Sequence, residues 1–335
     1  MIHIKSIIPV AGKGTRLRPH TWSVPKALLH VAGKPILGHI LDQVLELGIN
    51  DVVLVLGYLG SKIKEYVEDA YPQINFAFAR QDKAEGPAHA IHLAKPYVKD
   101  NDELLVIYGD TIFVGDLTEG LKSTKDGAIA VKRVEDPRRF GVVKMDGDKV
   151  IDVIEKPDIE EPMDAMIGIY FFNHAKQLFD ALDQMVEEKR MTKGEYYLPD
   201  AMKIMLENGC FLTTFQMDGW FDCGKPDTLL STNRYLLEKK GNGHTKVVEN
   251  NTIIIPPVYV GRNVELNNSI IGPHVSIADG VKINTSIIKD SIVNKNAVIE
   301  NAQLQESLIG ENAVVEDIIE KLNVGDNSLI SFKGE

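Results

Sequence analysis

The chain has 335 residues, enough for two ordinary domains or one large one. Its 44% hydrophobic and 25% charged residues are typical of a globular protein with a sizeable core, and its net charge of −11 argues against nonspecific nucleic-acid binding, which needs a basic surface. Cys210 and Cys223 are too few for a disulfide framework and no apolar run approaches the ~20 residues that span a bilayer, so we expect reduced thiols, no membrane segment and a cytoplasmic protein.

The first part of the chain alternates strand-like and helix-like segments. Apolar residues at helical spacing ahead of Gly48 predict a helix with a glycine C-cap, and Ser61 is the expected N-cap of the next helix. We predict strands at 4–10, 51–57, 74–80 and 102–110, and helices at 35–49, 61–71 and 86–98. This alternation predicts an α/β fold with a parallel sheet covered on both faces.

The pattern becomes mixed from about residue 127. We predict strands at 127–134, 141–157, 165–173 and 210–224, and helices at 175–190, 198–209 and 228–240. We therefore expect the sheet as a whole to be mixed but mainly parallel.

A polar, glycine-containing stretch around residue 245 separates two kinds of sequence, and we predict domains at 1–244 and 245–335. Beyond it, apolar residues recur at every sixth position. The two series are Val258, Val264 and Ile270, then Val275, Val281, Ile287, Val293 and Ile299. A period of six is typical of one face of a triangular β-solenoid; an ordinary antiparallel β domain is the alternative.

The loop after the first predicted strand is rich in glycine and basic residues, although the protein is acidic. Gly12 and Gly14 permit unusual backbone angles and close approach of a ligand, and backbone N–H groups of such loops bind phosphate oxygens. The basic residues are Lys13, Arg16, Arg18, His20 and Lys26. The loop matches neither a Walker A motif nor a dinucleotide fingerprint. It indicates an anionic ligand, with a solvated basic loop as the alternative.

Two aspartates follow strand-like segments and could hold a hard divalent cation. Asp110 ends the stretch LLVIYGD, and ligands of open parallel sheets bind beyond the carboxyl ends of strands. Asp222 lies in WFDCG, ahead of Gly224. One or two carboxylates plus phosphates are the usual Mg²⁺ ligands in nucleotide sites. Each aspartate taken alone is equally well explained as a turn or capping residue.

These motifs together resemble the sugar-1-phosphate nucleotidylyltransferases. The N-terminal signature of that family is matched by AGKGTRLRPHT, VPKALLHV and AGKPIL. The later matches, in the family's order, are EGPAHAI, YGDTIF, RFGVV, VIEKP, GIYFF, GEYYLPDAM and WFDCGKPDTLL, and together they cover roughly residues 4–240. The six-residue repeats look like the left-handed β-helix of long members. The resemblance implies a Rossmann-like, mainly parallel sheet of the GT-A-like nucleotidyltransferase type, followed by a short left-handed parallel β-helix.

The resemblance also implies a role for each matching residue. The triphosphate would be bound by Ala11, Gly12, Lys13, Gly14 and Thr15. Arg16 and Lys26 would neutralise phosphate oxygens during transfer, and Asp110 and Asp222 would hold Mg²⁺. Gln81 and Gly86 would contact the pyrimidine base. The sugar and its phosphate would be held by Gly141, Glu155, Lys156 and Tyr170.

The implied reaction joins a nucleoside triphosphate, dTTP or UTP, to a hexose 1-phosphate, with glucose 1-phosphate the best guess, and releases pyrophosphate. Mannose 1-phosphate with GTP is the alternative within the family. Two other readings stay open: an acetyltransferase or bifunctional enzyme that uses the β-helix, where His274 is the candidate base, and a non-catalytic scaffold. We expect the β-helix to assemble the chain into a homo-oligomer.

Overall fold

The structure is a computed structural model that describes residues 4–123, 125–240 and 249–331. The chain forms two compact units. The first comprises Met1–Gly12 and Ile40–Trp220, and the second comprises Lys13–His39 and Phe221–Glu335. The predicted domain boundary at residues 244/245 lies outside the described residues and stays a prediction.

The helices of the structure are α1 (Ile36–Glu46), α2 (Gly60–Ala70), α3 (Pro87–His92), α4 (Thr118–Leu121), α5 (Ala175–Glu187), α6 (Leu198–Glu207) and α7 (Pro226–Lys240). The strands before the repeats are β1 (Ile4–Pro9), β2 (His30–Val31), β3 (Lys34–Pro35), β4 (Asp51–Leu56), β5 (Asn75–Arg80), β6 (Glu103–Ile107), β7 (Thr111–Val114), β8 (Gly127–Val134), β9 (Gly141–Asp146), β10 (Lys149–Glu155), β11 (Met163–Phe172), β12 (Leu212–Gln216) and β13 (Gly219–Asp222).

The first unit is built on a nine-stranded sheet. Its strand order is β10-β9-β11-β6-β1-β4-β5, and β8 pairs with both β11 and β12. Strands β6, β1, β4 and β5 are parallel, which confirms the predicted parallel sheet. Strand β4 is buried over four consecutive residues, as expected for a parallel strand covered on both faces.

The other half of this sheet is mixed, as predicted. Strand β11 runs antiparallel to β6, β8 and β9, whereas β12 pairs parallel to β8. Helices α5 and α6 bury their apolar residues in the same core as β11; Leu182 and Met202 are both fully buried. The predicted strand at 210–224 is two strands, β12 and β13, because the polar residue Asp218 lies between them.

The predicted N-cap at Ser61 is wrong. Helix α2 begins one residue earlier, at Gly60, after Leu59 in the left-handed conformation, and no side chain caps it. The backbone N–H of Gly60 instead donates to the carbonyl of Gly57, at 3.1 Å. Because this tight turn satisfies the first N–H group of the helix, the serine is not needed as a cap.

The repeats of the second unit fold into three stacked parallel sheets, as expected for the predicted left-handed β-helix. The first sheet contains β14 (Glu249–Asn250), β17 (Glu265–Asn267), β20 (Lys282–Asn284), β23 (Val298–Glu300), β26 (Val314–Glu316) and β29 (Leu329–Ser331). The second contains β15 (Ile253–Ile254), β18 (Ile270–Ile271), β21 (Ile287–Lys289), β24 (Gln303–Gln305) and β27 (Ile319–Glu320). The third contains β16 (Val258–Val260), β19 (Val275–Ile277), β22 (Ile292–Val293), β25 (Leu308–Ile309) and β28 (Asn323–Val324).

The spacing of the coils differs from a strict six-residue repeat, which would place equivalent residues 18 apart. Leu266 pairs with Ile283, 17 residues on, and Val315 pairs with Ile330, 15 residues on. On the second sheet the buried residue is therefore Ile288, at 0% exposure, and not the predicted Ile287, which is 43% exposed. The inward strand residues Ile283, Ile288 and Val293 are five apart, so a series drawn at six falls on a neighbouring residue, and neighbouring residues of a strand point to opposite faces.

Residues 13–39 and α7 cover the third sheet of the β-helix within the second unit. Leu29 and Leu229 line the same small cavity as Ile292 and Leu308, and all four side chains are buried. A Cβ atom at Gly33 would lie only 2.3 Å from the ring of Tyr259, so the hairpin of β2 and β3 packs directly on the first coil. The basic loop therefore belongs to the same compact body as the repeats.

Candidate active site

The carboxyl ends of β1, β4 and β6 are packed closely in the first unit. A Cβ atom at Gly57 would lie 2.5 Å from the carbonyl oxygen of Ala11, and one at Gly109 would lie 2.3 Å from Val10. The N–H of Gly109 donates to the carbonyl of Pro9, at 3.3 Å. This packing fixes Ala11 and the half-buried Asp110 at the edge where open parallel sheets bind ligands.

The two glycines of the basic loop differ in what the fold requires of them. Gly14 has φ 60° and caps the 3₁₀ turn at Thr15–Leu17, and a Cβ there would lie 3.0 Å from both Thr21 and Lys26. Gly12 has no positive φ, and no described atom lies within 4 Å of its Cβ position. The fold therefore requires a glycine at 14 but not at 12, and the role of Gly12 in ligand approach stays a prediction.

Arg16 and Asp222 converge on one glycine in the second unit. A Cβ atom at Gly224 would lie 2.7 Å from Oδ1 of Asp222 and 3.0 Å from Nη2 of Arg16. The absence of a side chain at Gly224 thus leaves room for a guanidinium and a carboxylate on the same surface. A guanidinium suits phosphate oxygens and a carboxylate suits a hard cation, so this surface has the donors that a metal–phosphate complex needs.

Gln81 and Gly86 are brought together in the first unit. The buried Gln81 side chain donates from Nε2 to the carbonyl of Gly86, at 3.0 Å, and the same nitrogen lies 3.2 Å from Nδ1 of His89. Burial lowers the pKa of His89, so the neutral ring can accept at Nδ1. With Nε2 engaged twice, the remaining polar atom of the amide is Oε1, an acceptor.

Gly86 itself is required by the fold. It has φ 109°, and a Cβ atom would lie 2.5 Å from the carbonyl oxygen of Tyr196. The N–H of Ala88 donates to that same carbonyl, and the N–H of Tyr196 donates to the carbonyl of Glu85. The segment around Gly86 is thereby tied to the start of α6.

Gly141 and Glu155 are directly opposite each other on β9 and β10. A Cβ atom at Gly141 would lie 2.9 Å from Oε2 of Glu155 and 2.5 Å from the Met166 side chain, so a larger residue there would have to displace the ends of both side chains. Burial raises the pKa of Glu155, and the charge of Lys156 opposes the shift. Lys156 therefore favours the ionised form of this carboxylate.

Lys156 is held by Tyr197, a residue that sequence reasoning gave no role. Its Nζ donates to Tyr197 Oη at 2.9 Å and lies 3.4 Å from Oε1 of Glu155. Burial alone would lower the pKa of Lys156, but the hydrogen bond to Tyr197 and the charge of Glu155 outweigh it and raise the pKa. Lys156 is thus kept as a cation in a partly buried place, as binding of a phosphate requires.

Tyr170 is deeply buried and only 3% exposed. Its ring lies 5.7 Å, centroid to centroid, from Tyr108, and burial raises the pKa of both phenols. Tyr170 is therefore buried near Glu155 and does not lie at the surface. Direct contact with a sugar stays a prediction.

The predicted site residues fall into both units. The first unit holds Ala11, Gly12, Gln81, Gly86, Asp110, Gly141, Glu155, Lys156 and Tyr170. The second holds Lys13, Gly14, Thr15, Arg16, Lys26 and Asp222. Sequence reasoning missed the supporting residues His89 and Tyr197, although both lie inside the quoted motifs EGPAHAI and GEYYLPDAM.

Both cysteines are free and buried, as expected. None of the helices in the described ranges is long and apolar enough to cross a membrane. Across residues 4–123, 125–240 and 249–331, no group of three or more His, Cys, Asp or Glu side chains is arranged to hold a metal ion by itself.

Comparison with known proteins gives a consistent result. Residues 5–239 match the family model described as nucleotidyl transferase. The chain is 37% identical over 251 residues to the bifunctional protein GlmU of Methanocaldococcus jannaschii, covering 74% of this chain and 58% of that protein. It is 30% identical over 271 residues to a glucose-1-phosphate thymidylyltransferase of Streptomyces antibioticus, covering 78% of this chain and 74% of that one.

A solved structure is also similar to this chain. It is a provisionally assigned glucose-1-phosphate thymidylyltransferase from Bacillus anthracis in complex with a sucrose, with a TM-score of 0.63 and 29% identity, covering 72% of this chain and 98% of that one. The chain spans 58–60% of the length of the archaeal GlmU proteins that it matches.

Proposed function

Because this chain belongs to the nucleotidyl transferase family, we propose that it transfers a nucleotidyl group from dTTP or UTP to a hexose 1-phosphate. The products are a nucleotide sugar and pyrophosphate, and glucose 1-phosphate is the proposed acceptor. The observation that carries the proposal is the surface at Gly224, where Arg16 and Asp222 converge. A cation for phosphate and a carboxylate for a metal on one surface are the groups that nucleotidyl transfer needs.

The reaction needs no protein nucleophile. A phosphate oxygen of the hexose 1-phosphate forms a bond to the α-phosphorus, the bond from that phosphorus to the bridging oxygen breaks, and pyrophosphate leaves with the electron pair. Arg16 and Lys26 neutralise phosphate oxygens, and the loop of residues 11–15 binds the triphosphate. Lys156 binds the phosphate of the sugar. Catalysis is then positioning and charge neutralisation.

Asp222 offers the hard oxygen ligand that Mg²⁺ prefers, and the missing side chain at Gly224 keeps the space beside it open. Asp110 as a second ligand rests on the family resemblance. Since the described residues offer no larger cluster, phosphates and water would complete the coordination. When bound, the ion would neutralise charge on the triphosphate.

The Oε1 acceptor of Gln81 supports the choice of nucleotide. Uracil and thymine present a ring N–H donor that an amide oxygen can accept, as does guanine, whereas cytosine and adenine present a ring nitrogen acceptor at the equivalent edge. A site that hydrogen-bonds a substrate group rejects an analogue lacking it more strongly than an apolar pocket does. We therefore expect UTP and dTTP to be better substrates than CTP and ATP. GTP remains the alternative.

The contacts of His274 do not favour acetyl transfer by the β-helix. Its Nδ1 lies 3.0 Å from Asp290 and its Nε2 lies 3.0 Å from Glu238, so both ring nitrogens are engaged. A general base needs one ring nitrogen directed at its substrate. In this structure the histidine instead joins α7 to the repeats.

Assembly through the β-helix remains part of the proposal. Isoleucines occupy outward positions on most coils of the second sheet, with Gln303 between the last two: Ile253 is 59% exposed, Ile287 43% and Ile319 76%. A column of exposed apolar side chains favours contact with a second copy.

The experiment that tests the proposed activity is pyrophosphate release from a matrix of nucleotides and hexose 1-phosphates. We expect release with UTP or dTTP and glucose 1-phosphate, much less with CTP or ATP, and none without a sugar phosphate. Detection of the nucleotide sugar serves as the control for hydrolysis. Absence of release across the whole matrix, in the presence of Mg²⁺, would contradict the proposed function.

A further inference from the structure

We propose that Asn323, in the last coil of the β-helix, is a positioning residue that holds the basic loop in the shape that binds the triphosphate. The proposal rests on the proposed function for the identity of the ligand. It makes the repeats a supporting part of the phosphate site, although 303 residues separate Asn323 from the loop residue that it contacts.

The direct contact is a hydrogen bond between Asn323 and His20. Nε2 of His20 lies 2.7 Å from Oδ1 of Asn323, and His20 is only 3% exposed. Burial lowers the pKa of His20, so its ring is neutral, and an amide oxygen as partner places the proton on Nε2. The buried ring has one fixed orientation as a result.

Two further contacts hold the same stretch of the loop. Oγ of Ser23 donates to Asp326, whose other oxygen accepts from the backbone N–H of Glu311, at 2.7 Å, in the preceding coil. A Cβ atom at Gly325 would lie 2.8 Å from the ring of Pro19, so the loop rests on the backbone of the last coil. Contacts on both sides of His20 therefore hold this stretch of the loop against the last coil.

The anchored stretch is connected to the glycine turn that is proposed to bind phosphate. Thr21, next to His20, donates from Oγ1 to the carbonyl of Gly14, at 2.8 Å. That carbonyl also accepts from the N–H of Leu17, at 2.9 Å, in the 3₁₀ turn that contains Arg16. A chain of hydrogen bonds thus runs from Asn323 through the segment at His20 and Thr21 to the turn at Gly14.

This connection predicts what loss of the anchor does. Without Asn323 the loop keeps its sequence and its charges but samples more conformations, and ordering it on binding costs free energy. The loss should therefore appear as weaker triphosphate binding and not as loss of sugar-phosphate binding. A purely structural role in the β-helix would instead lower the melting temperature and leave both KM values unchanged.

The test compares three variants with the wild type. Asn323→Ala removes the acceptor, Asn323→Asp retains one, and Asn327→Ala is the matched control, since Asn327 lies in the same coil and accepts only from the Asn312 side chain among the contacts described for it. We expect Asn323→Ala to raise the KM for UTP or dTTP about threefold to tenfold, the equivalent of one hydrogen bond, with the KM for the sugar phosphate unchanged. Asn323→Asp should stay near the wild type.

A second measurement separates this proposal from the proposed function. Limited digestion with trypsin at Lys13 and Arg16, both exposed, reports the order of the loop without any substrate. We expect faster cleavage at these sites in Asn323→Ala than in Asn327→Ala, at equal melting temperature. If no nucleotide is a substrate, the proposed function fails but faster cleavage still supports the anchor. Equal cleavage and equal KM values in the two alanine variants would overturn it.

Discussion

The side chains of the proposed site are limited in what they can bind by the partners that hold them. Gln81 donates to Gly86 and His89 and is left with an acceptor, and Lys156 is kept charged by Tyr197 and Glu155. In the proposed function these supporting contacts would contribute to specificity, because a fixed orientation removes alternative hydrogen-bonding patterns.

The role of Gln81 can be tested by removing its amide. In Gln81→Leu we expect kcat/KM for UTP or dTTP to fall about tenfold to a hundredfold, since a buried substrate N–H loses its acceptor, while the low value for CTP changes little. Steady-state kinetics with the three nucleotides measures the effect. Gln184→Leu is the control, because Gln184 is only half-buried and the one hydrogen bond described for its side chain is to Glu188. Equal losses for UTP and CTP would rule out base reading by Gln81.

Sequence reasoning at this scale found residue types but not their partners. The basic loop and the two aspartates stand out as patterns in the chain, and the family resemblance assigned them roles. Tyr197 could not be found in this way, because its contact with Lys156 joins residues 41 apart and depends on the tertiary fold. Ser61 was assigned to a cap that the backbone turn at Gly57 makes unnecessary.

Secondary-structure elements are where the sequence patterns were most informative. Continuous apolar runs and helical periods predicted the parallel sheet and its helices, because burial on two faces or one leaves a direct mark on the sequence. The six-residue period predicted the β-helix but not its exact register. Turn lengths differ from coil to coil, and a shift of one residue exchanges the inward and outward faces of a strand.

The register of the β-helix gives a prediction from two neighbouring residues. Ile288→Ala removes a fully buried side chain and should lower the free energy of unfolding by about 2–5 kcal/mol through lost burial and a residual cavity. Ile287→Ala, at an outward position, should change it by less than about 1 kcal/mol. Urea denaturation of both variants measures the difference. A larger loss in Ile287→Ala would show that the inward face is assigned incorrectly.

His30, on β2, gives the hairpin region a predicted pH dependence. Burial, with the nearby Lys295, lowers the pKa of His30 from its ordinary 6.5 to about 4, and His39 acts in the same direction while Asp279 opposes it. A lowered folded-state pKa means that the unfolded chain binds the proton more readily. The stabilisation is therefore complete above pH 6.5 and is lost as the pH falls toward 4.

The measurement is the free energy of unfolding at pH 7 and pH 5 for His30→Asn and the wild type. We expect the wild type to lose more stability on acidification, by up to roughly 1.4 kcal/mol per pH unit from this one group. His174→Asn, at an exposed position, is the comparison variant. Equal slopes in His30→Asn and the wild type would show that His30 does not titrate in this way.

On the scale of the whole molecule, each compact unit is made of two stretches that are separate in the sequence. Residues 13–39 leave the first unit and join the repeats, with contacts such as His20 to Asn323 across 303 residues. No local pattern predicts such a pairing, because the residues concerned are ordinary polar side chains. The fold class followed from the sequence, whereas the sharing of the proposed site residues between both units emerged only from the structure.

The proposed reaction is direct transfer of a nucleotidyl group to a hexose 1-phosphate. It is tested by following radiolabelled UTP or dTTP, labelled at either the α-phosphate or the γ-phosphate, in the presence of Mg²⁺ and glucose 1-phosphate. We predict that the α-label appears in the nucleotide sugar and the γ-label only in pyrophosphate. A γ-label in the sugar product, or no labelled sugar nucleotide with any hexose 1-phosphate, would contradict the account.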